Sequence, residues 1–144
     1  MTLLDANILL YAGNAQLPQH PTTNSWLSDR LQTSEVLALP WVTVWAFLRI
    51  STNPRLLPQP LAPAEAFSVV REYREQPGVV ILEPGPRHME ILERIVVRYN
   101  VRGPLVTDAV LAAHAIEHGA ILASADQGFS RFSELKWFNP LTAR

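Results

Sequence analysis

Residues 103–129, GPLVTDAVLAAHAIEHGAILASADQGF, contain a helix, a turn and a strand in readable order. From about Leu105 to His118, apolar and small residues recur at helical spacing, and Gly119 can take the left-handed conformation that ends a helix. "AILAS" (120–124) then has the short, uninterrupted apolar character of a strand buried on both faces. Two isolated aspartates punctuate this unit: Asp108 in the first helical turn and Asp126 just past the strand. A carboxylate among so many apolar residues is costly to bury without a partner, so both positions require a reason.

The same alternation extends back to the amino terminus. "TLLD" (2–5) reads as a buried strand closed by Asp5, and "ANILLYAG" as a short helix stopped at Gly13. Pro21 opens a second helix with Trp26, Leu27 and Leu31 on one side. "VLAL" (36–39) is a strand stopped by Pro40, and "VTVWAFLRIST" is a helix ending before Asn53-Pro54. The proline-rich "PRLLPQPLAP" is an irregular loop within one domain. Pro63 starts a helix with Ala66, Phe67, Val70 and Tyr73 inward. "VVIL" (79–82) is a further strand, Pro86 opens a helix carrying Leu92, Ile95, Val96 and Tyr99, and "LKWFN" (135–139) closes the series. Short apolar strands alternating with helices predict an α/β fold: a mostly parallel central sheet covered by helices on both faces. Ligands in such folds bind beyond the carboxyl ends of the strands, where strand order reverses.

The 144 residues suit a single domain, 1–144. A composition 48% hydrophobic and 17% charged supports a real core and excludes a disordered chain. No apolar run is long enough for a membrane span, and "MTLLDANILLYA" lacks the basic segment of an export signal, so a cytoplasmic protein is expected. The absence of cysteine excludes disulfides and thiolate metal sites. With a net charge of −1 and a pI near 6.4, any nucleic-acid contact rests on a local patch. Eleven of the twelve basic residues are arginine, which suits bidentate phosphate contacts and equally an ordinary surface.

In that frame Asp5 and Asp126 both fall at the carboxyl edge of the sheet, and Asp108 lies on the helix feeding the fourth strand. Taken singly, two have a bland explanation, a first-turn acid for Asp108 and a turn residue for Asp126, whereas Asp5 is harder to dismiss because it ends a buried strand. Together, converging carboxylates repel one another, and a raised pKa or a bound cation relieves them. An oxygen-only set suits Mg²⁺ or Mn²⁺, which can activate water and clamp the oxygens of a phosphodiester. Asn7 could add a neutral oxygen or orient a water, and Ser124 could hydrogen-bond one of the acids.

These motifs resemble the PIN domain, and specifically the VapC toxins of bacterial toxin–antitoxin pairs. "LLDANILLYA" matches the first-strand motif, with Asp5 as its acid and Asn7 as the accompanying polar residue. "TDAVLAAHAIEHGAILASAD" matches the closing motif, with Asp108 and Asp126 as the two later acids. The resemblance covers essentially the whole chain in element order. It implies a PIN-like three-layer sandwich and a Mg²⁺- or Mn²⁺-dependent endoribonuclease whose catalytic and metal-binding residues are Asp5, Asp108 and Asp126. It also implies a homodimer silenced by a VapB-like antitoxin in the active-site groove. One departure matters: where the family has a glutamate, this chain has Ala46, and "WVTVWAFLRI" holds no acid at all. Gly128 likewise stands where the family often has a further acid. The acidic quartet is thus a trio, which implies weaker cation binding and impaired catalysis. Ala46 is either an engineered substitution or the mark of a degenerate member; the intact remainder of the site favours the first. The competing reading is a catalytically inactive module that binds an antitoxin or RNA.

Other features carry less. "HAIEH" (114–118) fits H-x-x-E-H, with His114 and His118 as a possible zinc pair, but no distant third ligand is evident. His118 alone suits a helix C-terminus. Arg49, one turn beyond Ala46, could contact an RNA phosphate or form a salt bridge near the acids. Trp41 and Trp45 could stack on bases, although such a pair more often serves a core or a dimer contact. A phosphoryl-accepting receiver-like domain would want a lysine near its acids, and the only lysine is Lys136.

Overall fold

The computed structural model of the chain describes residues 1–142. Five short strands, β1 (Thr2–Leu4), β2 (Leu37–Pro40), β3 (Val79–Leu82), β4 (Ile121–Ala123) and β5 (Trp137–Phe138), form one sheet. Six α-helices accompany them: α1 (Ala6–Gly13), α2 (His20–Leu31), α3 (Trp41–Ser51), α4 (Pro63–Arg74), α5 (His88–Arg98) and α6 (Leu105–Glu117). A 3₁₀ turn spans Gln127–Arg131. The strand order is β3-β2-β1-β4-β5 and every pairing is parallel. The expected α/β sandwich is therefore observed, and its switch point lies between β1 and β4, from which the order runs outward in both directions.

Period-2 alternation along the strands separates the core into two layers. Leu3, Ala38 and Leu122 face one side, where they meet Ile91 and Ile95 of α5, the alanine-rich face of α6, and Phe129 and Phe132. Leu4, Leu37, Leu39 and Ala123 face the other, against Ile8 and Leu9 of α1, Leu27 of α2, Phe47 of α3, and Ala66 and Val70 of α4. Each fully buried Leu, Ile or Phe contributes roughly 1.5–3 kcal/mol. Small residues on α6, Ala109, Ala112 and Ala113, are all fully buried and let that helix lie close to the sheet. Gly119 adopts φ +61°, so the chain turns from α6 into β4 with no Cβ penalty.

Several boundaries differ from expectation. Pro40 is the last residue of β2, in register with Leu82, at a position where the neighbouring β1 has no paired residue; a missing N–H is tolerated there. α5 begins at His88, not at Pro86, which lies in the preceding turn. Phe67 is 50% exposed, because α4 buries only the narrow stripe of Ala66 and Val70. No helix among the described residues is long and apolar enough to cross a membrane.

Candidate functional site

A cavity of about 420 Å³ opens at the carboxyl edge of the sheet, beside the β1/β4 switch point, and Asp5, Asn7, Thr43, Ala46, Arg49, Thr107, Asp108 and Asp126 are among its lining residues. Each acid reaches it for a local reason. Asp5 is the residue between β1 and α1, and its Oδ1 accepts the Ala6 N–H at 2.7 Å, capping the helix. Its Oδ2 accepts from Ser124 Oγ at 2.7 Å and from Asn7 Nδ2 at 3.3 Å. Ser124 directly follows β4 and is fully buried, so it ties the ends of the two central strands together. Asp126 caps the 3₁₀ turn, its Oδ1 accepting the Gly128 N–H at 2.7 Å, while its own N–H donates to Ser124 Oγ at 3.0 Å. Asp108 projects from the first turn of α6; among the described residues no hydrogen bond to its carboxylate is formed.

The three acids feel one another. Burial pushes the Asp5 carboxyl above the usual carboxylate range; hydrogen bonds from Ser124, Ala6 and Asn7 oppose this, and the charge of Asp126 adds to it. Asp108 is raised as well, first by burial and then by the charges of Asp126 and Asp5, with Arg131 acting against them. Such mutual repulsion is what a cation relieves. Among the described residues, however, no three His, Asp or Glu side chains already close around a common metal position. The donor set still fits a hard cation of the Mg²⁺ kind, which commonly keeps several of its waters and takes only one or two protein carboxylates directly. Asp108 and the second oxygen of Asp126 are unengaged and able to serve.

The other sequence-derived candidates fall as follows. Ala46 is half-buried on the cavity wall. Arg49 also lines the cavity, is exposed, and forms no ion pair among the described residues. Asn7 does not offer its oxygen: Oδ1 accepts the Ala125 N–H at 3.2 Å, and the amide nitrogen faces Asp5 and Ser124, so it orients Asp5 and is not a neutral ligand. Glu35 is held at the opposite edge by Thr2 and Arg30, away from the cavity that Ala46 lines. The zinc pair does not form. His118 Nδ1 is turned back onto the His114 carbonyl at 3.0 Å, whereas His114 is buried against His88, with ring centroids 4.5 Å apart.

Two contributors were missed in the sequence. Thr43 is buried and donates from Oγ1 to the Leu4 carbonyl at 2.8 Å, fixing the start of α3 to the end of β1 and so placing Ala46 over the groove. Its signal was a hydroxyl residue set among the apolar residues of the first turns of α3. Arg131 donates from Nε to the Gly128 carbonyl at 2.9 Å and brings its charge toward Asp108. A Cβ at Gly128 would stand 3.0 Å from both Arg131 Nη2 and Asp126 Oδ1, so glycine lets both side chains fold over this turn.

Comparison with known proteins bears on the family of the chain. The family model described as "PIN domain" matches residues 2–135. Ribonuclease VapC33 of Mycobacterium tuberculosis is 39% identical over 141 residues, covering 98% of this chain and 99% of that protein. Ribonuclease VapC37 of the same organism is 36% identical over 140 residues, 97% of each. Among solved structures, a chain of VapBC2 from Rickettsia felis, bound to a promoter DNA fragment, superposes with a TM-score of 0.72 at 16% identity, covering 96% of this chain and 97% of that one. VapC20 of M. tuberculosis, described as a sarcin-ricin-loop-cleaving toxin, gives 0.69 at 16% identity, covering 90% and 93%.

Proposed function

The chain belongs to the PIN-domain family, among its VapC ribonucleases, and from that premise we propose that it is a Mg²⁺- or Mn²⁺-dependent endoribonuclease, the toxin of a VapBC-type pair, with Asp5, Asp108 and Asp126 as its catalytic acids. The observation that carries this reading is the arrival of three carboxylates from three separate elements at one cavity on the sheet's switch point. A divalent ion held there by Asp108, Asp126 and Asp5, in part through water, would supply the positive charge that polarises an attacking water and offsets the phosphodiester's charge. The chain's own work is positional. Ser124, Asn7 and the Ala6 N–H hold Asp5 in one orientation. Asp108, the acid of the three whose carboxylate accepts no hydrogen bond among the described residues, can through an oxygen not holding the ion take a proton from the water whose oxygen attacks phosphorus as the P–O bond to the leaving oxygen breaks. Arg49, which lines the cavity and forms no ion pair among the described residues, would face a phosphate.

Ala46 bears on how well this runs. An alanine on the wall where the family has glutamate leaves the site one acid short, and we propose that cleavage is impaired in consequence. The same observation favours the second reading, a PIN-like module that binds an antitoxin or RNA without turnover. A VapB-like antitoxin lying over the groove, a homodimer, a single-domain organisation over residues 1–144 and a cytoplasmic site of action complete the proposal.

The test is incubation of a broad pool of cellular RNAs with the chain as given and with Ala46→Glu, with Mg²⁺, with Mn²⁺ and with chelator. The reading expects slow metal-dependent cleavage by the first protein, faster cleavage by the second, and none by either once Asp5→Asn is added. Tight RNA binding without cleavage in any arm would favour the binding module.

A further inference from the structure

On α3 the groove is flanked by an exposed ring, Trp45, that the acid site does not use. Ala46 lines the cavity, and Trp45, the preceding residue, is 63% exposed. Arg49 lies one turn beyond Trp45 on the same stripe of the helix, about 6 Å along its axis. Trp41, one turn before, is different: it packs against the core and its Nε1 donates to Glu83 Oε1 at 2.8 Å, so it is a fixed structural residue. Trp45 is left as a large apolar ring in solvent, one turn from a guanidinium that forms no ion pair among the described residues. The surrounding chain is of one sign. Between Glu35 and Glu65 there is no acid, while Arg49 and Arg55 are both present and both exposed. An acidic pit therefore has an aromatic, cationic rim along α3.

We propose that Trp45 and Arg49 form a nucleotide subsite: the Trp45 ring stacks on an unpaired base next to the scissile phosphodiester, and Arg49 holds the adjoining phosphate. The inference rests on the ribonuclease reading and names its substrate class, a single-stranded or looped RNA segment. One helical turn, about 6 Å along the axis, is a span that a single nucleotide bridges from base to phosphate. Stacking needs an unpaired base, because a paired one is covered by its neighbours, so the subsite selects against duplex. It also places the bound strand: with its phosphate at Arg49, the backbone continues past Ala46 toward Asp5, Asp108 and Asp126. Trp45 acts by positioning and makes no bond with the reacting atoms.

The test uses the full chain in the Asp5→Asn background with Mg²⁺, so that strands stay uncut, and fluorescence anisotropy with a labelled random single-stranded 12-mer RNA and a blunt duplex of equal length. Trp45→Ala should weaken single-strand binding about ten-fold or more and leave duplex binding unchanged. Trp45→Phe should keep most of the affinity but lose the quenching of tryptophan emission that RNA produces in the parent. Arg49→Ala should weaken both single-strand and duplex binding and flatten their salt dependence. Equal single-strand affinity in the parent and Trp45→Ala overturns the subsite while leaving the ribonuclease reading in place. So does a Trp45→Ala chain whose only change is a shift from dimer to monomer in sedimentation, which would make this face a contact between copies. If the parent itself binds no RNA, the ribonuclease reading fails and the subsite fails with it.

Discussion

Placing an acid at position 46 should cost stability without metal and return it with metal. Ala46 lies mid-helix on the cavity wall, and alanine-to-glutamate is a small change in helix propensity, so the backbone should accept it. The new carboxylate would join Asp5 and Asp108, both already pushed toward protonation by burial and by neighbouring acids. At an effective dielectric of about 20 and a separation of roughly 6 Å, each like-charge pair costs about 3 kcal/mol before solvent screening. The groove is open, so the net penalty is closer to about 1–3 kcal/mol in total. For a chain of this size that lowers Tm by roughly 3–10 °C. Differential scanning fluorimetry of the chain and of Ala46→Glu, each with chelator and with a Mn²⁺ series, measures both halves. The variant should melt earlier than the parent in chelator and gain more from Mn²⁺, by mass action on the folded state. A variant that melts with the parent in chelator and responds identically to Mn²⁺ would refute the claim that position 46 faces the acids.

Asp108→Asn should raise the chelated protein's Tm at pH 7: the folded carboxyl titrates above its ordinary value, so its charged form opposes folding at neutral pH, and the gain should vanish as pH falls below about 4. Ser124→Ala should cost about 1–3 kcal/mol in urea unfolding, because Asp5 Oδ2 loses its shortest donor in a buried setting. His114, lowered from its ordinary 6.5 to about 4 by burial and by the proximity of His88 and His118, must stay neutral in the fold. Its contribution is complete above pH 6.5 and is lost as pH falls toward 4, at most about 3 kcal/mol; His114→Leu should flatten the urea-midpoint profile across that window.

Much of this site was legible in the sequence because its chemistry is local. Asp5 and Asp126 follow short apolar runs, so their place at the carboxyl edge of a parallel sheet follows from strand assignment alone. Asp108 was placed by helical phase. What could not be read depends on three-dimensional neighbours. A hydrogen bond from Ser124 to one of the acids was anticipated, but strand order decides that the acid is Asp5. The direction of the Asn7 amide is set by the Ala125 N–H across the switch point, which no local pattern reveals. His114 paired with His88, 26 residues away, because α5 packs on α6; the i,i+4 spacing to His118 was the more visible and the wrong partner. Phe67 was assigned inward because an apolar residue beside Ala66 widens the apparent stripe, whereas the helix had room to bury only its centre.

The central claim is that three carboxylates gathered at the β1/β4 switch form a metal-dependent ribonuclease site missing one acid at position 46. Its most direct test is the rate of single-stranded RNA cleavage in Mg²⁺ or Mn²⁺ by the chain, by Ala46→Glu and by Ala46→Glu with Asp5→Asn, all from parallel preparations. The account predicts weak cleavage by the first, a rise of at least about ten-fold in the second, equivalent to about 1.4 kcal/mol of barrier, and none in the third. Cleavage by the third protein, or a folded and metal-binding Ala46→Glu that leaves a broad RNA pool uncut, would contradict it.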